Sequence, residues 1–171
     1  MISKKLFEEL NKQVTYEYFS SHLYLAMEAY CASLNLDGFA NFFKVQVEEE
    51  RAHAKMFFDY INRMNGDVII EGLDKPDANF KNLHDVFKKG YEHEQFVTSR
   101  IYLLMDIASE EREHATISFL KWFVDEQVEE EESFFGIMKK LEMIGENVSA
   151  LYSLDQELAQ RVFVPPVLTQ A

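Results

Sequence analysis

Four stretches of this sequence carry an apolar stripe at helical spacing, and polar side chains interrupt each stripe near its middle. Apolar residues recur every three or four positions, as on the buried face of an α-helix that turns about 100° per residue. The interrupting residues are Glu17, the pair Glu50 and His53, Glu94, and the pair Gln127 and Glu130. A carboxylate on a buried face is costly unless it is paired, protonated or bound to a metal. The pattern therefore predicts helices that bring these groups together.

Turn-forming residues divide the chain into four long segments and one short segment. We predict helices near 4–34, 38–65, 81–110 and 114–144, and a shorter helix near 148–162. Short, long and short connections between four helices are typical of a bundle with one long crossover, in which the second and third helices run parallel. The predicted fold class is therefore all-α, a four-helix bundle with one long crossover and a short fifth C-terminal helix.

The chain length favours a single domain. With 171 residues, of which 47% are hydrophobic, one bundle can bury a substantial core. Pro165 and Pro166 end the predicted ordered part. We therefore expect one domain over residues 1–164 and a C-terminal tail over 165–171, for which the sequence indicates no role.

Composition excludes several function classes. The net charge of -13 offers no basic footprint, so a nucleic-acid partner is not expected. Cys31 is the single cysteine, which excludes zinc or iron–sulfur sites built from several cysteines. The opening MISKKLFEELNKQ lacks the apolar run of a signal peptide, and no stretch has the length of a membrane span. We expect a cytoplasmic protein without a membrane partner.

The spacing of Glu50 and His53 is typical of metal ligands on a helix. Residues three apart project from adjacent turns of one helical face. Four-helix bundles that hold two metal ions use two lone Glu residues and two Glu-x-x-His pairs. Glu17 and Glu94 can supply the lone carboxylates here. The fourth helix departs from this template, because it offers Gln127 where the second Glu would stand and a Glu in place of the second His.

The ligand set favours iron. Four carboxylates would neutralise two Fe²⁺ ions, whereas structural zinc prefers closed Cys/His sites, and an imidazole ligand does not suit Mg²⁺ or Ca²⁺. We hypothesise that Glu50 bridges the two ions. Glu17 and His53 would complete one site, and Glu94 and Glu130 the other. With only one imidazole, this set would hold the oxidised product loosely and so favour turnover over a permanent cofactor.

Five further residues are candidates for supporting roles. Gln127 is neutral and is better suited to a hydrogen bond with oxygen or a ligand than to metal binding, although we keep it among the metal candidates. Tyr24 is either a core tyrosine or a hydrogen-bond or electron donor to the site. Glu49, Glu126 and Glu129 are either solvated charges or an acidic track that leads from the core to one face and holds a third cation.

The sequence resembles the non-haem ferritins of bacteria and archaea over nearly its whole length. The segments that carry the resemblance are LNKQVTYEYFSSHLYLAM, VQVEEERAHAKMFFDYI, YEHEQFVTSRI and FLKWFVDEQVEEEESF. This resemblance implies a ferritin-like bundle with a ferroxidase centre. It also implies a homo-oligomeric hollow shell of 24 subunits, in which Fe²⁺ is oxidised by O₂ or peroxide and stored as a ferric oxyhydroxide mineral.

The resemblance also assigns the individual residues. It implies one iron site at Glu17, Glu50 and His53 and a second at Glu50, Glu94 and Glu130. It further implies a third iron position, a glutamine beside the second site and a tyrosine near the centre. The residues that match these features are, in that order, Glu49, Glu126, Glu129 and Glu130, then Gln127, then Tyr24.

One departure from a neighbouring family bears on cofactors. Bacterioferritins carry a haem-binding methionine next to the glutamate on the second helix, and the corresponding residue here is Arg51. We therefore expect no haem. Two other functions remain open from the residues alone. One is a di-iron peroxidase or oxygenase with a retained metal pair, and the other is a structural bundle whose acids are all solvated.

Overall fold

The computed structural model describes residues 2–167, which contain five α-helices and no strand. The helices are α1 (Lys4–Ser33), α2 (Asp37–Arg63), α3 (Leu83–Glu110), α4 (His114–Ile144) and α5 (Val148–Leu158). The all-α prediction of four long helices and a short fifth is thereby confirmed. The last four residues of the predicted tail lie outside the described residues, and the division at residue 164 stays a prediction.

Local sequence signals set where three of the helices begin. Ser3, Asn82 and Asn147 each accept a hydrogen bond from a backbone N–H of the following first turn, at 3.1, 2.9 and 3.1 Å respectively. Short polar side chains at this position satisfy N–H groups that have no partner within the helix. The first turn of α2 is capped from a distance, because its Gly38 and Phe39 amides donate to a carboxylate oxygen of Asp155 on α5.

Four of the five helices are followed, within two residues, by a residue with a positive φ angle, which L-amino acids other than glycine seldom adopt. Asn35, Asn65 and Arg112 have φ of 56°, 59° and 56°, and Gly145 has φ of 54°. This left-handed backbone is accessible to glycine and, more rarely, to asparagine, and it stops a helix after its last turn. Arg112 is the unexpected member, since an arginine side chain does not favour this backbone conformation.

The core consists of two apolar clusters, one towards each end of the bundle. One cluster contains Leu10 of α1, Ile61 of α2, Ile101 of α3 and Phe123 of α4. The other contains residues from the opposite half of each helix, including Tyr24, Phe42, Phe87 and Phe134. The polar residues predicted from the sequence lie between the two clusters on all four helices. They therefore form a buried belt across the middle of the bundle.

The membership of these clusters gives the helix directions. The first half of α1 shares a cluster with the second halves of α2 and α3 and the first half of α4. α2 and α3 therefore run parallel, as the long crossover predicted. The crossover (residues 64–82) is held against α1 by Asn11, which donates from Nδ2 to the Asp67 carbonyl at 3.0 Å and accepts from the Ile69 amide at 2.7 Å.

The fifth helix is shorter than its predicted range of 148–162. It ends at Leu158, and the following residues turn back towards α2. Asn41 on α2 donates from Nδ2 to the carbonyls of Leu158 and Arg161, at 3.1 and 2.9 Å. These bonds satisfy carbonyl groups at the end of α5, and sequence periodicity gives no sign of them. Within the described residues, no helix is long and apolar enough to cross a membrane.

Candidate metal centre

Glu17, Glu50 and His53 form the tightest group of possible metal ligands. One ligand atom from each residue lies within 4.8 Å of the others, and the side chains come from α1 and α2. Each residue is at most 2% exposed. The Nδ1 atom of His53 lies 3.6 Å from Oε2 of Glu50, which fits two groups that face a common ion better than a direct hydrogen bond. The sequence-predicted pairing of these three residues is present in the structure.

Glu94 lies on α3 in a network of hydrogen-bond donors. Its Oε1 accepts from the hydroxyl of Tyr24 on α1, and its Oε2 accepts from Nε2 of Gln127 on α4 at 3.0 Å. Gln127 also lies 3.3 Å from the Glu94 carbonyl and 3.2 Å from the Thr98 hydroxyl. The predicted candidates Tyr24 and Gln127 thus both touch Glu94, and three helices meet at this carboxylate.

Glu130 on α4 is held by an amide from α2. Its Oε2 accepts a hydrogen bond from Nε2 of Gln46 at 2.8 Å, and both residues are buried. Gln13 makes an equivalent contact on α1, where its Nε2 donates to Oε1 of Glu17 at 2.8 Å. Neutral amides therefore orient two of the carboxylates without cancelling their charge.

The two glutamines, Gln13 and Gln46, were not recognised as site residues from the sequence. Each stands one turn before a buried glutamate, Gln13 four residues before Glu17 and Gln46 four residues before Glu50. That spacing puts an amide on the same helical face and is the available signal. In each glutamine the amide Oε1 is buried and has no protein partner. Such unpaired buried acceptors are rare and concentrate at functional sites.

Burial raises the pKa of three belt carboxyls. The pKa of Glu50 lies well above its ordinary value because of desolvation and then of repulsion from Glu94 and Glu17. Desolvation raises the pKa of Glu94 to about 7, against the lowering effect of its bonds from Tyr24 and Gln127. The pKa of Glu130 rises to about 8, again through desolvation and then through the charge of Glu94.

In the described part of the chain, no lysine or arginine offsets this concentration of acid. Among residues 2–167, no ion pair of a Lys or Arg involves Glu17, Glu50, Glu94 or Glu130. Buried acids without a cationic partner are strongly unfavourable in the ionised form. A pair of divalent cations would supply the missing positive charge, and four carboxylates and one imidazole can coordinate such a pair.

The three acids of the predicted acidic track, Glu49, Glu126 and Glu129, lie outside the tight group. Oε1 of Glu126 is 3.8 Å from Nε2 of His53, on the ring edge opposite Glu50. Glu49 is half-buried and pairs with Arg161, while Glu129 is exposed. Desolvation raises the pKa of Glu126, and the charges of Glu129 and Glu49 raise it further. The structure thus puts Glu49 and Glu129 close enough to Glu126 for their charges to act on it, but none of the three acids belongs to the tight group of Glu17, Glu50 and His53.

His93 and His84 have other partners and are not placed as metal ligands. His93 lies among Phe19, Tyr24 and Phe96 and bonds through Nε2 to the Ser20 hydroxyl at 2.8 Å. Desolvation lowers its pKa to about 4, so it stays neutral. His84 pairs with Glu142 at the surface. Trp122, by contrast, packs edge-on against His53 with ring centroids 5.4 Å apart, so its fluorescence can report on the centre.

Comparison of the sequence with known families gives a match over most of the chain. Residues 7–144 match the ferritin family, described as a ferritin-like domain. The chain is 45% identical over 163 residues to the bacterial non-haem ferritin of Staphylococcus haemolyticus, covering 95% of this chain and 98% of that protein. It is 44% identical, with the same coverage, to the bacterial non-haem ferritin of Staphylococcus aureus.

Solved structures agree with the sequence comparison. A humanized archaeal ferritin superposes with a TM-score of 0.95 at 43% identity, over 96% of this chain and all (100%) of that one. An open-pore ferritin from the archaeon Archaeoglobus fulgidus superposes with a TM-score of 0.93 at 42% identity, over 95% of this chain and 100% of that chain. The predicted ferritin-like bundle is therefore confirmed, and the chain belongs to the ferritin family of iron-storage proteins.

Proposed function

We propose that this protein is a ferroxidase that oxidises Fe²⁺ to Fe³⁺ at an intra-subunit di-iron centre and stores the product as a ferric oxyhydroxide mineral. The observation that carries the proposal is the buried belt of four carboxylates and one imidazole, in which no carboxylate pairs with a lysine or arginine of residues 2–167. Family membership supports iron as the cation, because the chain belongs to the ferritin family and is 45% identical to a bacterial non-haem ferritin.

The proposed centre has two iron positions. Glu17 and His53 would hold the first ion and Glu94 and Glu130 the second, with Glu50 bridging them. The first position is supported by two observations. Nδ1 of His53 faces Oε2 of Glu50, and one ligand atom from each of Glu17, Glu50 and His53 lies within 4.8 Å of the other two. The second position is supported by burial of both carboxyls, which raises their pKa values through desolvation, and by the charge of Glu94, which raises the pKa of Glu130 further.

The reaction takes one electron from each Fe²⁺. With O₂ as oxidant, two Fe²⁺ and two protons give two Fe³⁺ and one H₂O₂; with peroxide, two Fe²⁺, H₂O₂ and two protons give two Fe³⁺ and two water molecules. The metal charge rises from four to six, while four carboxylates still supply only four negative charges. Oxide or hydroxide from water must meet the excess, with release of protons. The four carboxylates match the charge of the ferric product poorly, so we expect Fe³⁺ to leave the centre for the mineral.

The supporting residues have distinct parts in this proposal. Tyr24 and Gln127 would orient Glu94 by hydrogen bonds, and Tyr24, in direct contact with this proposed ligand, would be a local electron donor. The acidic track of Glu49, Glu126 and Glu129, together with Glu130, would form a third iron position. Through it, ions would pass between the centre and the protein surface.

We further propose a homo-oligomer of 24 subunits that encloses the mineral. A single bundle has no interior large enough for a mineral particle, whereas closed symmetric assemblies are the usual form of soluble oligomers. Exposed apolar side chains on the crossover, Ile69, Ile70 and Leu73, support subunit contacts, since they are 51%, 65% and 43% exposed. A cytoplasmic location and the absence of haem remain predictions.

One experiment separates this function from its alternatives. Fe²⁺ is added stepwise in air, and both the iron retained in solution and the native mass of the particle are measured. Storage predicts many ferric ions per chain in a particle of about 24 chains. Two ions per chain, retained through repeated oxidation, would point to a di-iron peroxidase or oxygenase instead. No retained iron would leave only a structural bundle.

A further inference from the structure

The acidic track contains a cation supplied by the chain itself. Nη2 of Arg161 lies 2.6 Å from Oε2 of Glu49, and the two side chains are 26% and 19% exposed. The partners are separated by 112 positions in the sequence. Arg161 follows α5 and lies within the part of the chain that folds back onto α2. Glu49 is therefore occupied by positive charge before any metal arrives.

The guanidinium group is held in place by more than this ion pair. It lies over the ring of Phe42 with its Cζ 4.5 Å from the ring centroid, and Nη1 is 3.5 Å from the Phe42 carbonyl. The backbone carbonyl of Arg161 accepts a hydrogen bond from Asn41 at 2.9 Å. The cation–π contact and the fixed backbone already restrict the Arg161 side chain. The ion pair with Glu49 therefore costs less conformational entropy than it would for a freely exposed arginine.

The docking of α5 determines where Arg161 stands. Asp155 accepts from the amides of Gly38 and Phe39 at 2.8 and 3.0 Å, so that α5 caps α2. A Cβ at Gly38 would lie 1.6 Å from the Asp155 carbonyl oxygen, which shows how closely the two helices approach. The rigid junction of α5 with α2 thus carries the arginine to the edge of the acidic track.

We propose that Arg161 is an internal competitor for iron, which must displace its guanidinium group from Glu49 before that carboxylate can serve as a metal ligand. The inference rests on the proposed function of the track. A metal ion that replaces Arg161 gains its attraction to Glu49, but the net free energy of binding is reduced by the free energy of the ion pair between Arg161 and Glu49 that must be broken. Arg161 therefore weakens binding at the third position and leaves the belt site untouched. The consequence is that iron passes through this position without accumulating there.

The test measures binding of Zn²⁺, which has no redox chemistry, to the assembled apoprotein by titration calorimetry. Wild-type protein should bind two Zn²⁺ ions per chain at the belt and a third more weakly. Arg161→Gln removes the charge and should tighten the third site by about five- to tenfold, the gain expected from releasing a charge-assisted hydrogen bond at a partly exposed site. The two belt sites should not change. Particle mass and helix content measured on the same samples show that the variant is assembled.

Three further variants make the test specific. Lys140→Gln removes an equal charge that also ties α5 to the bundle, through an ion pair with Glu157 at 2.7 Å, and it should leave the third site unchanged. Arg161→Lys keeps the charge without the planar fork, so its affinity should lie between those of wild type and Arg161→Gln. In a Glu49→Gln background, Arg161→Gln should have a much smaller effect, because the competition requires the carboxylate and only the weaker influence of the Arg161 charge on Glu126 remains.

Unchanged or weaker third-site binding in Arg161→Gln would overturn the inference, as would an equal gain in Lys140→Gln. Those results would leave the belt sites and the proposed function standing. Absence of the two belt sites in wild-type protein would instead remove the proposed function and this inference together.

Discussion

The hydroxyl of Tyr24 on α1 donates a hydrogen bond to Oε1 of Glu94 on α3, and both residues are at most 1% exposed. The bond lowers the pKa of Glu94 against the desolvation that raises it. A hydroxyl from one helix therefore helps to keep a carboxylate of another helix in the form that binds metal.

Tyr24→Phe should shift metal binding at the second position to higher pH. Loss of the hydroxyl removes one of the effects that lower the pKa of Glu94, so less of the carboxylate is ionised at a given pH. The measurement is Zn²⁺ affinity as a function of pH, with Tyr60→Phe as the control. Tyr60 lies in the apolar cluster that does not contain Tyr24, and its hydroxyl lies 2.9 Å from the Thr116 hydroxyl. Its substitution should leave the pH profile unchanged. An identical profile for Tyr24→Phe would exclude this role.

The stability of the metal-free protein should decrease as the pH rises. The pKa values of Glu94 and Glu130 increase from the ordinary 4.5 to about 7 and about 8 on folding. Between pH 4.5 and 8 these two carboxyls therefore hold more protons in the folded protein than in the unfolded chain, and they outweigh the one proton that His93 loses on folding because its pKa falls from 6.5 to about 4. The free energy of unfolding should therefore fall with increasing pH. Thermal unfolding of apoprotein across this range should show a falling melting temperature.

Metal should flatten or reverse this pH dependence, because it binds the deprotonated ligands and competes with protons. The same melting curves recorded with Zn²⁺ provide the comparison. Glu130→Gln should reduce the slope in the apoprotein, since it removes one of the groups that titrate. A metal-free melting temperature that rises steadily from pH 5 to pH 8 would contradict the assignment of these buried acids.

Glu50→Gln should have opposite effects on activity and on stability. Removal of a proposed bridging ligand should slow the rapid phase of Fe²⁺ oxidation by on the order of a hundredfold. The same change removes a buried acid that lacks a cationic partner, so the metal-free protein should become more stable. Stopped-flow oxidation and thermal unfolding measure the two effects.

Glu48→Gln is the matched control for this experiment. Glu48 lies two residues earlier on α2, is exposed, and pairs with Arg51 at 3.1 Å. Neither oxidation nor stability should change appreciably. If Glu50→Gln lowered both the oxidation rate and the apoprotein stability, Glu50 would be a structural residue and not a metal ligand.

Gly38→Ala should disrupt the docking of α5. The added Cβ would meet the Asp155 carbonyl at 1.6 Å, and backbone on both sides has to shift. We expect a loss of about 1–3 kcal/mol in the free energy of unfolding. Gly136→Ala on α4 is the control, because nothing lies within 4 Å of its added Cβ. That change should stabilise the chain by roughly 0.5–1 kcal/mol through helix propensity. Equal effects of the two substitutions would contradict the close approach.

The sequence predicted the belt well because its signal is local. Glu17, Glu50, His53 and Glu94 each interrupt an apolar stripe on a single helix, and the helical period alone puts them on the buried face. The bundle then has to bring the four stripes together. The same reasoning located the chain breaks, since Gly145 and the asparagines at the helix ends are turn formers by their own chemistry.

What the sequence did not reveal depends on contacts between distant residues. Arg161 meets Glu49 across 112 positions, and Asp155 caps α2 across 117. No period within a helix encodes such pairs. The early end of α5 also involves a distant contact, because Asn41 on α2 donates hydrogen bonds to the carbonyls of Leu158 and Arg161. Gln13 and Gln46 each stand four residues before a glutamate, but this spacing does not show which carboxylate the amide orients, and Gln46 in fact bonds to Glu130 on another helix.

The account depends most on two metal ions lying side by side within the belt. The most direct measurement is anomalous X-ray scattering from crystals of the protein soaked in Fe²⁺ without oxygen. We expect two peaks inside each subunit, one beside Glu17 and His53 and the other beside Glu94 and Glu130, with Glu50 between them. Peaks confined to surface carboxylates, with the belt empty at saturating Fe²⁺, would contradict the account.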